Sequence, residues 1–319
     1  MSVAGSSGSG YPSPRVVIAG GSGMIGGHLS QALLAEGWDV DILTRDPRRA
    51  ARHVPPGARS VAWDPNGRTR DLATVLDRAD AVINLAGVSI GTRPWTPGRK
   101  RAILDSRLAA TNAIVGAIGA LPADQRPKVL VNASGTDLYA GRDAEPADEA
   151  TQPATDFLAA VCVRWEAAAV AAEPLGVRVA IVRHAFVLAS DATVLRLMAL
   201  PFRLFLGGRI GSGRQWFSWI HVDDLVAIYR LALADPSLAG PINAAAPEPC
   251  RQAELAAALG RALRRPSWLP VPAWAIRLAL QGQATLILDS RRVVPARAIA
   301  LGFPFRHPTL DEALEDVLG

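Results

Sequence analysis

The chain has 319 residues, half of them hydrophobic, with a net charge of +5 and a pI near 9.8. That length buries a large core and excludes general disorder, so one large α/β domain or two unequal lobes is expected. The arginines are scattered rather than gathered into a basic block, which argues against nucleic acid. The two cysteines, Cys162 and Cys250, form neither a disulfide framework nor a zinc cluster, and a reducing cytoplasm is their simplest home.

Residues 1–14, rich in Ser, Gly and Pro, read as a loose tail with neither the basic start nor the apolar stretch of a signal peptide. Arg15–Ala19 is a short β-branched strand ending in glycines, and Met24–Ala35 follows with helical spacing of Ile25, Leu29, Leu33 and Leu34. Strands are expected at 38–43, 61–63 and 81–85. A helix over 99–118 precedes a strand at 128–132, and a helix over 157–172 precedes a strand at 177–183. Parallel neighbours need crossover connections, so this alternation implies an α/β fold: a Rossmann-type, doubly wound parallel sheet with helices on both faces.

After Val187 the pattern changes. A helix at 192–206, a glycine-rich loop at 207–213 and a helix at 222–233 capped by Asp223 and Asp224 are followed by a strand at 242–244 and helices at 252–263, 273–280 and 309–318. The expected domains are a sheet domain over 15–185, with 220–245 returning to it, and a smaller, mostly helical lobe built from 186–219 and 246–319. The run at 192–206 is interrupted by Arg and Pro well short of the roughly 20 apolar residues of a membrane-spanning helix.

Gly20-Gly21-Ser22-Gly23-Met24-Ile25-Gly26 carries the chemistry most clearly, because it follows a strand and opens a helix. That context gives a tight turn, close backbone approach to a pyrophosphate, and free N–H groups with a positive dipole end for the phosphates. Cofactor choice is read at the end of the second strand. Thr44 stands there where an acid would grip the ribose of NAD, and Arg45 follows with Arg48 and Arg49 nearby, which favours NADP(H), with Asp46 the one feature pointing to NAD. Asn84-Leu85-Ala86-Gly87 ends the fourth strand in a small turn that lets a dinucleotide approach the backbone.

These segments, with Gly208 to Leu225 and Pro241 to Pro249, resemble the atypical epimerase-like members of the short-chain dehydrogenase/reductase superfamily, of the NAD-dependent epimerase/dehydratase type with a C-terminal region of unassigned role. The likeness runs from Arg15 onward and implies a Rossmann domain with bound NADP(H). It also implies a Ser or Thr after the fifth strand, which Ser134 supplies. The superfamily's Tyr-x-x-x-Lys pair is absent, since Leu158 and Cys162 occupy those positions, and neither replaces a phenol or an ammonium. Tyr139 is the nearest remaining phenol, where the family carries Tyr-Tyr-Gly, and His184 replaces the threonine of Arg-Thr-Gly at the expected nicotinamide side. Ser134, Tyr139 and His184 are therefore the candidate catalytic groups, with a packing role as the alternative for Tyr139 and a structural one for His184, and Ser134 is also expected beside the cofactor.

Arg209, Arg214, Gln215, Trp216 and Trp219 lie in a loop that the superfamily turns toward substrate, the arginines suiting an anionic group and the tryptophans a ring. Filling of the seam between lobes is the alternative for the tryptophans. Trp95, Arg99 and Lys100 form a further candidate rim. No metal set stands out. Two function classes follow: an NADP(H)-dependent oxidoreductase or epimerase acting on a small carbonyl or hydroxyl compound, or a non-redox protein that keeps the cofactor as a sensor, isomerase or cyclase. The expected partners are a small-molecule substrate and, as an open option, a second copy in a homodimer, with no nucleic acid and no membrane.

Overall fold

The computed structural model describes residues 13–319 except positions 92 and 140, so the tail expected over 1–14 lies outside the described residues up to position 12. In chain order the first half contains β1 (Arg15–Ala19), α1 (Met24–Ala35), β2 (Asp39–Thr44), α2 (Pro47–Ala50), β3 (Arg59–Ala62), α3 (Thr69–Leu76), β4 (Ala81–Asn84), α4 (Pro97–Ala120), β5 (Val129–Gly135), β6 (Arg142–Ala147) and α5 (Phe157–Val170). The second half contains β7 (Arg178–His184), β8 (Phe186–Leu188), α6 (Thr193–Arg203), β9 (Trp216–Phe217), β10 (Trp219–His221), α7 (Val222–Ala234), β11 (Gly240–Ala244), β12 (Cys250–Arg251) and α8 (Gln252–Ala262). It ends with α9 (Ala273–Leu280), α10 (Thr285–Leu288), β13 (Arg291–Val293), α11 (Ala296–Ala300) and α12 (Leu310–Leu318).

Seven strands form one parallel sheet in the order β3-β2-β1-β4-β5-β7-β11. The order reverses between β1 and β4, and an open sheet of this kind places its ligand crevice beyond the carboxyl ends of the strands at that reversal. Alternation of side chains buries both faces. Val16, Ile18, Ile42 and Ile83 pack with Leu29 and Leu33 of α1 and Leu225 and Ile228 of α7, whereas Val17, Leu43, Val82 and Leu130 pack with Leu72 and Leu76 of α3 and Ile114 and Ile118 of α4. At the amino-terminal side of the sheet, buried Asp41 on β2 joins Arg15 of β1 at 2.7 Å and Arg59 of β3 at 2.6 Å. Burial alone would raise the Asp41 pKa, but the hydrogen bonds from Arg59 and Arg15 outweigh it and lower the value.

The remaining strands are short pairs, β8 with β10, β9 with β12, and β6 with β13. Two local expectations are corrected here. The α7 cap is His221, whose Nδ1 accepts the Asp223 N–H at 3.1 Å. Asp224 instead accepts the backbone N–H groups of Arg306 and His307 at 2.7 and 3.0 Å, and Asp223 pairs with the Arg306 guanidinium, so both acids anchor the C-terminal segment. The helix expected at 192–206 stops at Arg203, because Phe205 turns to φ +62°.

Candidate active site

At the switch point the chain leaves β1 through Gly20, whose φ of +82° suits glycine. A Cβ on Gly20 would sit 2.9 Å from the Leu85 carbonyl, and one on Gly26 would sit 2.5 Å from the Gly21 Cα. Only glycines let the first turn, the helix and the β4 turn close this tightly. The α1 N-cap, Gly23, is extended and offers no side-chain acceptor, so the N–H groups of Met24, Ile25 and Gly26 remain for an anion. A groove of about 940 Å³ runs from Ser22, Gly23 and Met24 along α1, and His28 crosses it to meet Asp191 at 3.1 Å.

On the other side of Gly20, the turn after β4 is held by Asn84. Its amide donates to Thr111 Oγ1 at 2.9 Å and Asn132 Oδ1 at 2.7 Å, while its Oδ1 accepts the Ala86 N–H at 3.2 Å. Leu85, Ala86 and Gly87 are thereby fixed beside the glycine loop, with Arg107 packed under Gly87. At the end of β2, Thr44 is half-buried and Arg45 exposed. Asp46 turns away to cap α2 by accepting the Arg49 N–H at 3.1 Å, which removes the acid that pointed to NAD.

Ser134 and Tyr139 belong to one buried network. Ser134 Oγ donates to Glu166 Oε1 at 2.6 Å, Arg183 holds both oxygens of Glu166, and Arg183 also donates to the Tyr139 hydroxyl, which donates to Asn243 at 3.1 Å. Tyr139 has no exposed surface, and burial pushes its pKa up to about 12. His184 stands apart from them, half-buried at the end of β7 with Nε2 at 2.7 Å from the Tyr229 hydroxyl. Burial lowers its pKa to about 4, so the ring is neutral near pH 7.

The polar groups that converge on the open side of β5 include some that sequence reasoning passed over. A Cβ on Gly135 would meet Asp137 Oδ2 at 3.3 Å and Cys162 Sγ at 3.7 Å. Asp137 pairs with Arg291 at 3.2 Å, and Arg107, whose pKa burial lowers, lies within the fields of Cys162 and Asp137. Cys162, at the position of the absent lysine, is a protonated thiol that burial pushes up to about 12. Nearby, Trp95 and Phe157 meet edge to face at 5.5 Å with the Lys100 ammonium 5.1 Å over the Phe157 ring. Arg99 ties back to the Ser89 carbonyl. Asp137, Arg107 and Arg291 were not among the expected site residues, because nothing in their immediate sequence marks them and only the fold brings them together.

The second-lobe candidates divide. Trp219 has no exposed surface and packs in the core cluster that joins the sheet to α7, α8 and α12, which rules out its assignment as a substrate wall and leaves the packing alternative. Gln215 is likewise occupied, donating to the carbonyls of Ile210 at 3.1 Å and Ile287 at 3.4 Å. Trp216 is half-buried between the Arg251 and Arg292 guanidinium groups, 3.7 and 4.6 Å from its ring. Arg209 and Arg214 are exposed. Among the described residues, His221, His307 and Asp316 bring ligand-type atoms within 4.8 Å. His221 Nδ1 is already an acceptor, so its proton sits on Nε2 facing Asp316 at 3.1 Å, a hydrogen bond that leaves no lone pair for a metal ion.

The NAD dependent epimerase/dehydratase family matches residues 16–245, and a domain of unknown function matches residues 271–317. An epimerase family protein SDR39U1 homolog of Arabidopsis thaliana, described as chloroplastic, is 40% identical over 95% of this chain and 86% of its own length. The epimerase family protein ML0860 of Mycobacterium leprae is 39% identical over 94% of each chain. The crystal structure of human epimerase family protein SDR39U1 with NADPH superposes with a TM-score of 0.84 at 34% identity, covering 95% of this chain and 99% of that one. With the sheet order, the glycine cradle and these relatives in agreement, the chain belongs to the NAD dependent epimerase/dehydratase family.

Proposed function

We infer that this chain binds NADP(H) and acts as an oxidoreductase or epimerase-like enzyme on a small carbonyl or hydroxyl compound. The observation that carries the reading is the uncapped start of α1, walled by glycines that tolerate no Cβ, with Arg45 at the end of β2 and Asp46 turned away. These residues fit the cofactor. The N–H groups of Met24, Ile25 and Gly26 would hold the two linking phosphates, Thr44 and Arg45 would hold the ribose phosphate, and the Leu85-Ala86-Gly87 turn would receive the nucleoside. The relative solved with NADPH supports the same choice. When bound, the nicotinamide supplies or accepts a hydride.

The chain's own contribution is proton handling and enclosure. Asp137, braced by Arg291, lies where a carboxyl can give or take the proton of a substrate oxygen held over Gly135. Arg107 and Lys100 add positive charge for a developing oxyanion or an anionic substrate group. Trp95 and Phe157 form an apolar rim that limits water. Ser134 and Tyr139 act behind this surface as positioning residues, tying β5 to Glu166 and Asn243, while the neutral His184 ring lines the end of β7. Titration of the purified protein with NADPH and NADH, followed by loss of NADPH absorbance against a panel of aldehydes and ketones, tests the reading. Tight NADPH binding with turnover supports it, binding without turnover on any carbonyl favours the non-redox class, and no binding of either dinucleotide overturns it.

A further inference from the structure

The apolar run that begins at α6 is not absorbed by the active site. The inner side of α6 buries Leu195, Ala199 and Phe202, yet its outer side also carries leucines, with Leu197 and Leu200 exposed. Those leucines share the outer side with Arg196 and Arg203, a mixture of exposed apolar and basic side chains that a helix facing only water does not need. The exposed apolar surface continues past the helix. Phe205 is 53% exposed, and its carbonyl accepts the Trp268 indole N–H at 3.0 Å. The backbone N–H groups of Trp268 and Leu269 both reach the Gly207 carbonyl at 3.0 Å, and Ile210 bridges to Val271. This lacing places α9 next in line, where Trp274 and Leu278, four residues apart on one helical face, are 67% and 75% exposed. A contiguous surface of this kind marks an interaction site, since single exposed apolar residues are common but laced runs are not.

Its charge narrows the occupant. Between Asp191 and Asp223 every residue of fixed charge is an arginine, and the same holds between Glu254 and Asp289. Arg203, Arg264 and Arg265 are exposed around the apolar residues, and Arg265 lies 4.7 Å over the Phe205 ring. A second copy docked by the same surface would set arginine against arginine with no carboxylate in either segment to pair with it, because a two-fold contact matches a patch with itself. Tryptophan, phenylalanine and leucine ringed by arginine instead match the interfacial zone of a bilayer that carries anionic headgroups.

We propose that this face, formed by α6, the 204–211 and 265–272 segments and α9, docks the protein on the surface of anionic lipid membranes. The docking is peripheral: no described helix is long and apolar enough to cross a membrane. It departs from the expectation that no membrane is involved, which rested on the absence of a spanning run. The face also meets the loop after β4, since a Cβ on Gly91 would touch Val194 at 3.6 Å and Gln283 donates to the Ile90 carbonyl at 2.9 Å, and Arg196 of α6 lines the groove along α1. A docked molecule therefore holds that groove beside the lipid.

The full chain is sedimented with vesicles of equal parts phosphatidylcholine and phosphatidylglycerol, and with vesicles of phosphatidylcholine alone. The expected result is capture by the mixed vesicles, at least about tenfold weaker capture by the neutral ones, and release as salt rises. Leu204→Glu with Trp274→Glu, and separately Arg264→Glu with Arg265→Glu, are expected to abolish capture while leaving the thermal unfolding midpoint unchanged, since all four side chains face solvent. Failure of the wild-type chain to sediment with the mixed vesicles overturns the proposal. So does a wild-type dimer in light scattering that Leu204→Glu converts to monomer while vesicle capture persists.

Discussion

Arg183 holds the Glu166 carboxylate with two parallel donors, Nε to Oε1 at 2.9 Å and Nη2 to Oε2 at 2.8 Å, with both side chains close to fully buried. Ser134 donates to the same carboxylate, so one acid on α5 satisfies groups from both β5 and β7. Removing it by Glu166→Ala strands a buried guanidinium and a hydroxyl. The expected loss is about 3–5 kcal/mol of stability, the range for breaking a buried ion pair from one side. The paired change Glu166→Leu with Arg183→Met should recover much of it. Urea unfolding of the variants measures both, and an unchanged midpoint for Glu166→Ala would show that the network contributes nothing.

The glycine cradle makes a sharper forecast. A Cβ at Gly26 lies 2.5 Å from the Gly21 Cα and 2.7 Å from the Gly20 carbonyl oxygen, both backbone atoms that cannot swing aside. Gly26→Ala should therefore push α1 away from β1 at a cost of about 1–3 kcal/mol, the usual penalty for overpacking. NADPH affinity should fall at least about tenfold, because the N–H groups leave their aim. Gly27→Ala, one residue on, meets only the His53 carbonyl oxygen at 4.0 Å, so it should keep NADPH affinity and, as a helical Gly→Ala change, raise stability by about 0.5–1 kcal/mol. Calorimetric titration of the two variants side by side checks the contrast.

Arg45 is exposed at the end of β2, and the neighbouring acid, Asp46, is committed to capping α2. Arg45→Ala should weaken NADPH by about 10- to 100-fold, the worth of a hydrogen bond to a charged group, and leave NADH unchanged. Equal weakening of both dinucleotides would mean that Arg45 does not read the ribose phosphate.

How much of this was legible depended on how local the cause was. Gly20 to Gly26 declare themselves because turn, phosphate seat and helix start are all encoded within seven neighbouring residues. The sheet was equally readable, since alternating buried strands and helices admit few other folds. The Ser134–Glu166–Arg183 network was not, because its members sit on three elements and only packing brings them together. Trp219 could be read either as a wall for substrate or as packing, and only the structure shows that it is core, for tryptophan composition says nothing of which way the ring faces. Strands such as β9 and β12 have two residues each, too few to show a period.

Asp137 offers the test of chemistry. It is partly exposed, ion-paired with Arg291, and adjacent to Gly135 and Cys162, whereas Tyr139 is sealed in the core. Asp137→Asn keeps the shape but cannot exchange a proton, so turnover should fall by about 10²- to 10⁴-fold with NADPH affinity unchanged. Tyr139→Phe should instead lower stability and leave the pH profile of turnover in place. The opposite pattern would move the proton-transfer role to the phenol.

His184 sets a dependence on pH whose sign can be worked out. Burial lowers its pKa from 6.5 to about 4 in the folded chain, while the unfolded chain keeps the ordinary value. Between those two values the unfolded state binds more protons than the folded one, so stability is full above about pH 6.5 and declines as pH falls toward about 4. Asp41, whose folded pKa is lowered by Arg59 and Arg15 despite its burial, adds a loss in the same direction at lower pH, so the wild-type slope alone does not isolate the histidine. His184→Asn removes the titrating ring while leaving the Arg15–Asp41–Arg59 bridge untouched. The stability gap between wild type and variant should therefore be widest near pH 7 and narrow steadily toward pH 4.5. An imidazole proton resonance for His184 that titrates near 6.5 would show instead that water reaches the ring and that the buried, neutral state does not form.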